Sequence, residues 1–117
     1  IDLHTLRPLN IKKIIKSIKK TKKLLIVENG QIDFGIGSEI LRLLSLNGKI
    51  LQNTEVKILG IKNSIIPSSR YLAKYCYINY ENIVKEVSKM CKIKKKITFK
   101  KKSLPSDVPN NSFAGPF

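Results

Sequence analysis

The run Leu24-Leu25-Ile26-Val27, closed by Glu28-Asn29-Gly30, limits this chain more than any other feature. Consecutive apolar residues without alternation bury both faces of an extended segment, as in a parallel sheet covered by helices. A parallel neighbour then requires a long crossover, usually helical. The chain supplies one. Gly35-Ile36-Gly37-Ser38 leads into Glu39 to Leu46, where Ile36, Ile40, Leu43 and Leu44 share one helical face, and Asn47-Gly48 ends the helix. A second strand is expected at Glu55 to Leu59, ended by Gly60.

Upstream, Ile1-Asp2-Leu3 reads as the end of a further strand, followed by a loop that closes at Arg7-Pro8-Leu9. Asn10 stands at a helix N-cap position. Behind it Ile11, Ile14, Ile15 and Ile18 recur at i, i+3, i+4 and i+7, which gathers them on one stripe. The other face is lysine, and pairs such as Lys12/Lys16 and Lys16/Lys20 repel by about 0.2–0.5 kcal/mol each. Burial of each isoleucine returns about 1.5–3 kcal/mol, so this helix forms by docking on the sheet. The strands at Lys23 to Glu28 and Glu55 to Leu59 are therefore expected to be parallel neighbours, with Ile11 to Ile18 packed against them.

Downstream, a loop through Pro67 leads to a short helix near Ser69 to Tyr75. Asn79 can cap the last helix, whose apolar face is Ile83, Val84, Val87, Met90 and Cys91. The alternation of strand and helix predicts an α/β domain over residues 1–92 with right-handed crossovers. Residues 93–117 are lysine-rich and then rich in Pro, Ser and Asn, the composition of a flexible tail, with Ile97 to Phe99 available as an added edge strand.

The net charge of +15 would by itself suit a polyanionic partner. The basic residues are nearly all lysine, however, in a chain crowded with isoleucine and asparagine, residues that share A/T-rich codons. A biased genome raises lysine on every solvated surface without a partner selecting it, so we read the charge as a solvated surface. No apolar run reaches the roughly 18–20 residues of a membrane span. Ile1 to Leu3 lacks the layout of a secretory signal, and the start at Ile1 reads as a cut. Cys76 and Cys91 form neither a disulfide framework nor a zinc motif, which suits a reducing compartment, and Cys91 is expected as a small buried hydrophobe.

Each candidate for chemistry has a plainer explanation. Gly30, Gly35 and Gly37 could bring backbone N–H groups to a phosphate, but their spacing fits neither GxGxxG nor GxxxxGK[ST], and a tight strand-to-helix turn accounts for them. His4 has Asp2 nearby and no nucleophile in a recognisable setting, so it is read as structural or solvated. Glu28 sits at the carboxyl end of a central strand, where open sheets bind ligands, but it is read as a carboxylate satisfied by loop amides or a partner subunit. Asp33 and Glu39 add no second carboxylate at a spacing suited to paired acid and base work. Tyr71, Tyr75, Tyr77 and Tyr80 follow no alternation that would make a stacking platform, and packing around two short helices explains them. No catalytic, cofactor-binding or metal-binding residue is assigned.

Asp2-Leu3-His4-Thr5-Leu6-Arg7-Pro8-Leu9-Asn10 resembles the N/D-L-R-T-[IL]-R-P-L-D stretch in the C-terminal domain of β subunits of thiamine-diphosphate-dependent 2-oxoacid dehydrogenases. Lys16-Ser17-Ile18-Lys19-Lys20-Thr21 is similar to S-V-K-K-T, Val27-Glu28-Asn29-Gly30 to V-E-E-G, and Gly35-Ile36-Gly37-Ser38-Glu39-Ile40 to G-V-G-S-E-I. The last two motifs point to the pyruvate type. The likeness is strong to about Leu44 and weaker to Cys91. His4 and Asn10 replace the usual Arg and Asp, and Asn63 to Ser68 keeps one proline of a P-x-P-Y stretch without its tyrosine. The C-terminal domain of 1-deoxyxylulose 5-phosphate synthase is the alternative on motifs, and a basic RNA-binding protein is the alternative on composition.

The resemblance implies a three-layer α/β/α fold of the transketolase C-terminal type, truncated before Ile1. It implies that thiamine diphosphate and Mg belong to the parent enzyme and are bound elsewhere, by the partner α subunit and the N-terminal half of the β subunit. The implied role is packing β against β in an α2β2 heterotetramer and docking the dihydrolipoyl acyltransferase core, with no membrane or nucleic-acid partner. Candidate interface residues are Glu28, Asn29, Gly30, Phe34, Gly35 and Gly37. The implied compartment is the mitochondrial matrix or a plastid in a eukaryote and the cytoplasm in a bacterium. Truncation should leave sheet edges and apolar patches uncovered, which favours association. Sedimentation should therefore show a soluble, concentration-dependent oligomer at low salt that aggregates as salt rises. A single monomer with a cooperative melt in about 0.5 M salt, where screening acts within about 4 Å, would show that the missing elements are dispensable.

Overall fold

A computed structural model describes residues 1–62, 65–73, 75–94 and 97–98, with only the backbone described at 70 and 71. The elements run α1 (Ile11–Thr21), β1 (Lys23–Gln31), α2 (Ile36–Ser45), a 3-10 turn (Leu51–Asn53), β2 (Glu55–Ile61), α3 (Arg70–Ala73) and α4 (Tyr80–Met90).

Local chemistry sets the boundaries. Asn10 caps α1, its Oδ1 accepting from the Lys13 N–H at 3.2 Å. The helix stops at Lys22, whose backbone is left-handed (φ 56°, ψ 21°) and whose N–H returns to the Ile18 carbonyl at 2.8 Å. That reversal feeds directly into β1. The Lys22 carbonyl accepts from the Glu55 N–H at 3.0 Å, and the two strands then run parallel from Lys23 opposite Glu55 to Val27 opposite Leu59. Register breaks after Val27 and resumes with Gln31 opposite Ile61. At the amino end Lys23 Nζ meets Glu55 Oε2 at 2.9 Å, a surface pair of modest worth.

The parallel pairing and the α/β class are as expected, and α1, α2 and α4 all pack against β1. The core is Ile14, Ile18, Ile26, Ile40 and Leu44, with Ile11, Ile15 and Leu24 packed around it. Ile18 and Leu44 are completely enclosed. Ile61, Ala73 and Met90 are buried outside this cluster.

Several expectations are corrected. Ile1 to Leu3 forms no strand; it lines a groove of about 360 Å³ with residues 23–27 without ladder bonding. Ile36 is exposed, because the inward face of α2 begins one residue later and carries Gly37, Ile40 and Leu44. Cys91 is exposed instead of buried, since it caps α4 and its backbone has left the helical path (φ −89°, ψ 1°). The apolar face of α4 is consequently shallow: Met90 is buried, Ile83 and Val84 are half-buried, and Val87 is exposed. Among the described residues the short helix covers Arg70–Ala73, and Tyr75 lies in a turn. Tyr75 and Tyr80 are exposed, not packed, because they lie in the turn and at the first helical position on either side of the Asn79 cap. Ile97 and Thr98 are not in a strand, and Phe99 with the rest of the tail lies outside the described residues.

If enclosure at Leu44 holds the two helices on β1, Leu44→Ala should lower unfolding free energy by about 2–5 kcal/mol in urea titration. Leu46→Ala, at an exposed position on the same helix end, should stay within about 0.5 kcal/mol.

Candidate functional site

The register break in β1 surrounds Glu28, and α2 starts directly above it. The N-cap of α2 is Gly35, in extended conformation and without a side chain to accept the first helical N–H groups. Glu28 fills that role from the strand: its Oε2 accepts from the Gly37 N–H at 3.2 Å. A carboxylate there also sits at the positive end of the helix dipole.

The approach excludes a side chain at Gly35 and is tight at Gly37 and Gly60. A Cβ on Gly35 would lie 2.5 Å from the Gln31 carbonyl oxygen and 2.6 and 2.7 Å from the two Glu28 carboxylate oxygens. On Gly37 it would lie 3.1 Å from Glu28 Oε1 and 3.2 Å from Ile26 Cγ2. On Gly60, where β2 ends, it would meet the Gly30 carbonyl at 3.0 Å and Glu28 Cγ at 3.1 Å. Glu28 is thus enclosed by three glycines, and its Oε1 is buried without a hydrogen-bond partner among the described residues. The role of Gly60 is one that spacing did not reveal, although two adjacent strands each followed by glycine was the available signal. Gly30 has open space around it.

The glycines therefore make no phosphate loop, because the anion at the start of α2 is the protein's own. Of the candidate interface residues, Glu28, Gly35 and Gly37 turn towards one another under α2, while Asn29, Gly30 and Phe34 lie at the surface. Phe34 is fully exposed and left-handed (φ 60°) at the tip of a short loop. That loop is pinned on both sides: the Ile32 N–H donates to the Ile61 carbonyl at 2.9 Å, and the Ile32 carbonyl accepts from the Gly35 N–H and from Ser38 Oγ.

His4 and Asp2 approach within 3.8 Å but are both solvated, with 86% of each side chain exposed. Asp33 is exposed. Glu39 makes a two-point pair with Arg42, both bonds 2.7 Å, and the hydrogen bond from Arg42 chiefly holds its carboxyl below the usual range. Whatever stability this pair adds is present above the unfolded carboxylate's pKa and fades as pH falls through the lowered folded value. Among the described residues no group of three His, Cys, Asp or Glu side chains could hold a metal, and no helix is long and apolar enough to cross a membrane.

A parallel strand pair with a helical crossover, its turn closed by glycines over a strand carboxylate, defines a small α/β domain. Residues 1–83 match the family model for the transketolase C-terminal domain, and the chain belongs to that family. Its relatives are β subunits of the pyruvate dehydrogenase E1 component. That of Rickettsia bellii is 33% identical over 94 residues, 80% of this chain and 29% of the relative. The mitochondrial subunit of Chaetomium thermophilum is 51% identical over 43 residues, 37% of this chain and 11% of the relative. The mitochondrial subunit of Saccharomyces cerevisiae is 28% identical over 95 residues, 80% of this chain and 26% of the relative. The chain thus spans less than a third of the length of these relatives. No solved structure matches.

Capping by Glu28 predicts a graded response. Glu28→Ala should lower stability by about 1 kcal/mol by removing the acceptor, whereas Glu28→Gln keeps an acceptor and should lose less. Gly35→Ala should exceed both, because its methyl group overlaps backbone as well as carboxylate. Equal losses for Ala and Gln in chemical denaturation would contradict the capping role.

Proposed function

We propose that this chain is the C-terminal part of the β subunit of a pyruvate dehydrogenase E1 component and that it works by assembly, not by chemistry. In this reading it packs β against β in an α2β2 heterotetramer and helps to dock the dihydrolipoyl acyltransferase core. Pyruvate decarboxylation and acetyl transfer to a lipoyl group take place on other parts of the enzyme. The compartment would be the mitochondrial matrix in a eukaryotic source and the cytoplasm in a bacterial one.

The observation that carries the proposal is Phe34. An aromatic side chain left entirely in water forgoes the burial that aromatic residues usually obtain, and a left-handed backbone at a residue other than glycine adds roughly 1–2 kcal/mol of strain. The loop holds both features in place with hydrogen bonds at Ile32. A pinned, exposed aromatic is the kind of residue that anchors protein interfaces.

The described residues do not fit thiamine diphosphate or its metal. Glu28 is the best-placed acid, but one of its oxygens is bound by the Gly37 N–H and the other is shut in by Gly35 and Gly37. The remaining acids among the described residues are exposed or paired on the surface and do not converge. In this reading the cofactor and Mg belong to the α subunit and to the N-terminal half of the β subunit.

Two measurements test the proposal. Calorimetry on the chain alone should show no specific micromolar binding of thiamine diphosphate; binding that is lost on Glu28→Ala would overturn the assignment. In a β subunit carrying this sequence and co-expressed with an α subunit, Phe34→Asp should weaken the heterotetramer by about 2 kcal/mol or more. Native mass spectrometry would then show αβ dimers, and an intact tetramer at low concentration would rule out the interface role.

A further inference from the structure

The family match ends at residue 83, and a second surface feature is built almost entirely from residues beyond it. One side of α4 and the segment after it enclose a groove of about 610 Å³. Val84, Ile93 and Ile97 supply its apolar lining, and Lys85, Lys92 and Lys94 supply cations around it. We propose that this groove is a docking site for an acidic segment of a partner protein that carries aliphatic side chains among its carboxylates.

The groove owes its shape to the end of α4. Lys92 adopts a left-handed backbone (φ 53°), and the Ile93 N–H folds back to the Ser88 carbonyl at 2.9 Å. This closing turn returns Ile93 and Lys94 alongside the helix instead of letting the chain run on. Ile93 and Ile97 nevertheless remain 47% and 43% exposed, so the turn gathers apolar surface without covering it.

Charge is equally unbalanced. Lys89 pairs with Glu86 at 3.3 Å, and Glu81 is the sole acid lining the groove among the described residues. Lys85, Lys92 and Lys94 have no carboxylate partner among those residues. Cations in the last turn complement the helix dipole, which accounts for Lys89 and Lys92. It accounts neither for Lys85 and Lys94 nor for exposed isoleucines between them.

The complement of this surface is negative at its edges and aliphatic at its centre. A flat anionic bilayer can reach rim lysines but does not enter a concave strip. A nucleic acid would satisfy the lysines, but an aliphatic floor offers its bases no stacking surface. A peptide with glutamates flanking leucines meets both requirements. This docking role is separate from the assembly role above and uses none of the same residues.

The test uses the full chain and fluorescence anisotropy with a labelled amphipathic Glu/Leu peptide matched in length to α4. Its competitors are poly-glutamate of equal length, a single-stranded oligonucleotide of equal charge, and phosphatidylglycerol vesicles. The Glu/Leu peptide should bind tightest. Lys85→Gln combined with Lys94→Gln should weaken it about tenfold, the sum expected from two partly exposed ion pairs. Ile97→Ser should weaken the Glu/Leu peptide and leave poly-glutamate unaffected. Ile93→Ser provides a second floor variant, and circular dichroism checks the fold of each. Equal or tighter binding of poly-glutamate, oligonucleotide or vesicles would overturn the proposal, as would wild-type affinity in both isoleucine variants.

Discussion

Everything in this domain rests on closing one small apolar cluster, Ile14, Ile18, Ile26, Ile40 and Leu44, between two helices and a strand. The chain carries 23 basic and 8 acidic residues, so every solvated face tends to repel its neighbours. Desolvation acts at contact range, whereas repulsion between exposed charges is screened beyond about 8 Å at physiological salt. The cluster therefore prevails, provided that α1 and α2 are both held on β1. Neither helix has a reason to persist without it: α1 presents lysine on its outer face, and α2 lacks a capping side chain of its own.

Glu28 links this core to the surface. Its carboxylate replaces the missing cap of α2, and the glycines around it let the helix start come down onto the strand end. The carboxyl end of a parallel strand beneath a helix N-terminus is the usual place for an anionic ligand. Here the protein occupies that place with its own side chain. A site closed by packing leaves the neighbouring loop, with Asn29, Gly30 and Phe34, at the surface.

The transketolase C-terminal domain match covers the α1–β1–α2–β2 unit and the residues that enclose Glu28. Similarity to β subunits of the pyruvate dehydrogenase E1 component extends over most of the chain, although it accounts for less than a third of each of those subunits. Hydrogen bonds at Ile32 and the left-handed turn at Lys92 fix the backbone at two separate surfaces.

Much of the architecture was legible in the order of residues. The unalternated run Leu24 to Val27 marked a strand with a parallel neighbour, although only Ile26 of the run is buried and Val27 is exposed; the isoleucine stripe demanded a docked α1, and Asn10 and Asn79 marked helix starts because their side chains accept from the N3 amides. Those signals are local, so the sequence by itself determined them. Tertiary structure alone decided the face of α2, where the approach of Glu28 turned Gly37 inward and Ile36 outward. It also decided the fate of Cys91, whose helical phase ended one residue too early to bury it, and the enclosure of Glu28 by Gly60, a residue far along the chain. Each of these depends on how distant elements approach one another, and periodicity within one element carries no record of that distance.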